Sequence, residues 1–111
     1  MILIRSFVAL SLILGLSFLQ AAAYKGQKIY MKTCKQCHGD GQRFTASKKQ
    51  NEWAVVFKGN GAEFAAVHLE SQDGEKVKTY FSGQRYQSDY KHLRDFFVEF
   101  AADSGNVPAC N

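Results

Sequence analysis

Beyond residue 23, apolar positions recur at helical spacing and nowhere alternate over a strand-length run, which predicts helices joined by short loops. The first would span about Tyr24 to Lys35, with Gly39-Asp40-Gly41 as the turn that breaks it. Ser47 followed three residues on by Gln50 has the spacing of a capping box and predicts a short helix through Trp53, Val56 and Phe57. Gly59-Asn60-Gly61 would end that helix. A third, from about Ala62 to Glu70, sets Phe64, Val67 and His68 at i, i+3 and i+4. Past the turn Ser71-Gln72-Asp73-Gly74, Val77, Tyr80 and Phe81 predict one or two further helical turns. The last helix, capped by Ser88 and running from Asp89 to about Ala102, carries the strongest stripe, with Leu93, Phe96, Phe97 and Phe100 on one face. Asp103-Ser104-Gly105 closes it, and Pro108 forbids its continuation. The expected fold is all-α.

The first 23 residues follow a different rule. Arg5 supplies one positive charge, Ser6 to Leu19 is a charge-free apolar run, and Ala21-Ala22-Ala23 provides small residues before a cut after Ala23. This is the pattern of a secretory signal peptide. The competing reading is an uncleaved membrane anchor, since Ser6 to Ala23 is 18 residues, at the lower limit for a spanning helix. The alanine triplet favours cleavage, giving a signal peptide at 1–23, one domain at 24–111 and a periplasmic location.

Export leaves 88 residues, too few for two cores and small enough to need a disulfide, a metal or a cofactor. The charge is polarised: Tyr24–Gln50 carries +6 and Asn51–Asn111 carries −3. An exported domain seldom meets nucleic acid, so the basic half points instead to an acidic protein partner or an anionic membrane surface. The plain alternative is a solvated face.

Three cysteines are an odd number, and two of them sit in Cys34-Lys35-Gln36-Cys37-His38. C-x-x-C-H is the attachment signature of c-type haem. Two thiols at that spacing reach two vinyl groups on one porphyrin edge, and the adjacent histidine becomes an axial ligand of the iron. A thiol–disulfide site would call for a βαβ context, and a zinc site for a second ligand pair; the sequence offers neither. The mature part holds 13 aromatic residues, a composition that suits packing against a flat ring.

Gly26-x-x-Ile29-Tyr30-x-x-x-Cys34-x-x-Cys37-His38-Gly39 resembles the N-terminal segment of class I cytochromes c, and the Leu93–Phe100 stripe resembles that family's last helix. The resemblance implies a helical domain wrapped around one covalent haem c, with Gly26 letting the C-terminal helix cross closely. It covers both ends well and the middle poorly.

The family's distal methionine is missing. Met1 lies in the leader, and Met31 sits three residues before Cys34 on the helix leading to the proximal side. His68 and His92 remain, with Cys110 and an open position as outsiders. His68 lies inside the apolar stripe of its helix, where a polar imidazole needs a partner. His92 falls on the flank beside Leu93, a place for a solvated side chain. The order of candidates is therefore His68, His92, open site.

These readings predict an exported single-haem carrier of electrons between periplasmic or membrane-associated redox partners, with Cys34 and Cys37 anchoring the haem and His38 ligating iron. An open distal site would instead give a small-ligand sensor or an enzyme acting on peroxide or sulfur compounds. Without haem, Cys34 and Cys37 would make a thiol oxidoreductase. Cys110, the leftover thiol, could link two chains.

Overall fold

The computed structural model describes residues 23–109, so the leader expected over 1–23 (apart from Ala23) and the thiol of Cys110 lie outside the described residues. Among those residues only helices, turns and bends occur. None of the helices is long and apolar enough to cross a membrane.

Seven helices follow one another. Helix α1 occupies residues 23–33, α2 Lys35–His38, α3 Gly41–Thr45, α4 Gln50–Val56, α5 Ala62–Glu70, α6 Glu75–Ser82 and α7 Gln84–Glu99. The third predicted helix matches α5, and the one or two turns expected over Val77, Tyr80 and Phe81 are the two turns of α6. Elsewhere the boundaries differ for identifiable reasons.

The first helix does not run unbroken to Lys35. A turn at Cys34 divides α1 from α2. The expected Gly39–Gly41 turn is followed at once by α3, whose first turn Asp40 caps by accepting a hydrogen bond from the Arg43 amide at 2.8 Å. Ser47 does not cap α4: its hydroxyl donates back to the Phe44 carbonyl at 2.6 Å. The start of α4 is satisfied instead by Glu52, which accepts from the Lys49 amide at 3.0 Å, and by Asp103, which accepts from the Gln50 amide at 2.8 Å. The Ala102 amide also donates to the Lys48 carbonyl, so the chain beyond α7 straps down the opening of α4.

Helix α7 begins five residues earlier than the Asp89 start that a Ser88 cap would set, because Tyr86 is wholly buried and donates to the Gly61 carbonyl. That tertiary bond draws the helix start back to Gln84. On α5, Val67 is 68% exposed although the spacing placed it with Phe64. The buried side of that helix is narrow, holding Phe64, Ala65 and part of His68.

The core is aromatic, and Phe97 is its centre. Its ring lies within 4.7 Å of Trp53 and 5.3 Å of Phe44, centroid to centroid, and also touches Tyr30, Phe57, Phe64 and Phe96. Helices α4 and α6 pack on α7, and α5 packs on α6. α1 crosses α7 at Gly26, where a Cβ would overlap the His92 carbonyl oxygen and sit 2.6 Å from Phe96 Cβ. Only a residue without a side chain permits that approach. The crossing fixes the end of α1, and hence the position of Cys34.

Candidate functional site

The Cys34–His38 segment folds as a single tight turn continuing from α1. The Cys34 amide donates to the Tyr30 carbonyl at 2.8 Å, and the Cys37 and His38 amides both donate to the Cys34 carbonyl. Gly39 then leaves the helix with φ +78°, a left-handed value that favours glycine over any other residue. Its carbonyl accepts from the buried Tyr30 hydroxyl at 2.8 Å, tying the end of the motif back to α1. This closure puts both thiols and the His38 imidazole on one cleft, with Cys34 buried and Cys37 exposed.

The opposite wall comes from α5 and α6. His68 faces His38 with ring centroids 6.1 Å apart and planes at 77°. Phe81 stacks on the His68 ring at 4.0 Å and 17°, and Phe64 packs against it at 4.7 Å. His68 Nδ1 lies 2.6 Å from the Phe64 carbonyl, which can only accept, so Nδ1 carries the proton and, in the neutral ring, Nε2 has the lone pair. A backbone carbonyl fixing one nitrogen while the other is left free is the arrangement found behind metal-ligating histidines.

The cleft on the thiol side has a volume of about 430 Å³ to its open mouth, walled by Phe44, Phe64, Phe81 and Phe97 beside the two histidines. A second hollow of about 860 Å³, reaching to Lys48 and Trp53, shares His38, Phe44, Phe64 and His68 with the first. The histidine pair therefore stands in a trough that is open on two sides.

The electrostatics favour a neutral His38. Burial lowers the His38 pKa from its ordinary 6.5, and the neighbouring His68 lowers it further, while Asp73 acts in the opposite sense. Cys34 is pushed up to about 12, first by burial and then by the charges of Asp89 and Cys37. A thiol so raised is a poor nucleophile at neutral pH.

These residues fit a haem. Two imidazoles bound to opposite sides of one metal, each at about 2 Å, have ring centres about 6 Å apart, the spacing of His38 and His68. The thiols and the ring walls line the same cleft. Among the described residues no three His, Cys, Asp or Glu side chains gather as a metal-holding group, but a porphyrin iron asks the protein for at most two ligands.

His92 lies elsewhere. It sits on α7 at the α1 crossing, half-buried, with Nδ1 shielded from solvent and without a hydrogen-bond partner. The expectation of a solvated flank at this position is thus corrected: the close approach of α1 at Gly26 covers it. Sequence reading also missed Phe44 as a wall of the site. Asp40 followed by Gly41 reads as a turn, but aspartate is also a strong opening residue for a helix such as α3.

No protein-family model, no curated protein and no solved structure matches this chain, so the likeness to class I cytochromes c rests on its own residues.

Proposed function

We propose that this chain is an exported single-haem c-type cytochrome that carries one electron at a time between redox partners in the periplasm or at its membrane surface. The observation that carries the reading is the approach of His38 and His68 across a cleft that also holds Cys34 and Cys37. Cys34 and Cys37 would hold the haem as thioethers, and His38 and His68 would be its axial ligands. A haem so ligated supplies reversible one-electron chemistry at a potential below that of a His/Met pair.

The chain's own residues do the rest. The Phe64 carbonyl keeps the His68 proton on Nδ1, and Phe81 sets the plane of its ring. Phe44, Phe64 and Phe97 keep water from the cleft, which favours ring burial. The same restraints on His68 speak for a saturated iron over an open distal site. The raised Cys34 pKa speaks against Cys34 as the attacking thiol of an oxidoreductase, a role that needs a readily ionised sulfur. On the outside, Lys25, Lys28 and Lys32 are exposed along α1 with no acidic residue between them, forming a face for an acidic redox partner.

The test is an oxidised and reduced visible spectrum of the exported wild type beside His68→Ala and His92→Ala. The expected result is a low-spin wild type, a high-spin His68→Ala and an unchanged His92→Ala. A high-spin wild type would leave the iron open, and a colourless one would remove the haem.

A further inference from the structure

Asp73 is the carboxylate residue in the cleft lining, whereas a second, Asp89, reaches the cleft wall only through Tyr80 and has no part in the ligation just described. Asp89, on α7, is half-buried and accepts a hydrogen bond from the Tyr80 hydroxyl at 2.8 Å. It has no cation partner: among the described residues the ion pairs are Arg43–Asp40 and Arg94–Asp95. Tyr80 in turn packs edge-on against Phe81 at 5.0 Å, the ring stacked on His68. Tyr80 also belongs to the rim of the core cluster that contains Cys34. The carboxylate is thus joined through two rings to the distal imidazole.

Its field reaches the thiol. After burial, Asp89 is the largest cause of the raised Cys34 pKa, and Tyr80 is itself held well above its ordinary value by burial and by its bond to Asp89. A half-buried charge is screened less than one in open water.

We propose that Asp89, hydrogen-bonded by Tyr80, lowers the reduction potential of the haem site by holding an uncompensated negative charge behind the rings that back the distal imidazole. The inference rests on the proposed function. A fixed negative charge favours the oxidised state, which carries one more positive charge than the reduced state, and so lowers the potential. Reduction adds one electron at the haem. Tyr80 acts on the site only through Asp89: its hydroxyl dipole, donated to the carboxylate, partly offsets that charge.

The experiment is a spectroelectrochemical titration of the haem-loaded protein and three variants. Asp89→Asn should raise the midpoint by a threefold to tenfold change in the oxidised/reduced ratio, tenfold being about 59 mV for one electron. Tyr80→Phe should move it the other way, because the carboxylate keeps its charge and loses its donor. Asp95→Asn, which removes the α7 carboxylate paired with Arg94, should change the ratio less than twofold. Visible spectra identical to wild type in all three would show that ligation is untouched. An Asp89→Asn midpoint equal to or below the wild type overturns the proposal, as does a Tyr80→Phe shift of the same sign as Asp89→Asn. A wild type without haem overturns the proposed function itself, a result distinct from an unshifted midpoint in a coloured protein.

Discussion

Replacing Gly26 by alanine puts one methyl group where α1 and α7 cross. On helix propensity alone the change is favourable, since alanine stabilises a helix interior by about 1 kcal/mol relative to glycine. The crossing reverses the sign. The new Cβ overlaps the His92 carbonyl oxygen and comes within 2.6 Å of Phe96 Cβ. Neither obstacle can turn aside, because one is backbone and the other is the first atom of a fully buried ring. The helices must separate, and overpacking of this kind costs about 1–3 kcal/mol, here at the upper end. The net loss is about 2 kcal/mol, and at about 4–8 °C per kcal/mol for a domain this size it lowers Tm by roughly 8–16 °C. Thermal unfolding of the wild type and Gly26→Ala, followed by far-UV circular dichroism, measures it. A variant as stable as the wild type, or more stable, refutes the close crossing and with it the placement of Cys34 at the end of α1.

Two further outcomes follow from the motif's closure. Tyr30→Phe removes the hydroxyl that holds the Gly39 carbonyl at 2.8 Å and should cost about 0.5–1.5 kcal/mol in chemical denaturation, whereas an unshifted midpoint would mean the loop is held by other contacts. In the folded, haem-free chain, iodoacetamide at pH 8 should label exposed Cys37 at least tenfold faster than buried Cys34, and equal rates would show that the turn is not closed. Because Cys34 ionises at about 12 in the fold against an ordinary 9.0, its contribution to stability is complete below pH 9 and is lost as the pH rises toward 12.

Features that depend on near neighbours in the chain were legible beforehand. The α5 limits, the α7 stripe and the small residue at position 26 all belong to single helices whose pattern repeats locally. Features that depend on distant partners were not. Ser88 has the chemistry of an opening cap, yet the bond from Tyr86 to Gly61 places it inside α7, where its hydroxyl turns back toward the Gln84 carbonyl. Val67 shares the spacing of Phe64 but has no helix against it. At the site, Cys34, Cys37 and His38 follow from five consecutive letters, whereas the company of His68 does not. Phe81 meets it only because the turn over residues 71–74 folds α6 back along α5.

The strap from Asp103 to the start of α4 also sets an order of events. The carboxylate that completes α4 is 53 residues away from the amide it receives, and Phe97, the centre of the core, lies almost as far along. A ribosome delivers Cys34 long before either. Until Phe97 has emerged the ring cluster lacks its hub, and until Asp103 follows α4 lacks this cap, so the walls that enclose the motif thiols are incomplete. Once the chain closes, Cys34 is buried behind aromatic walls. Chemistry at that sulfur therefore belongs to the interval before folding is complete, and the late C-terminal strap marks the end of that interval.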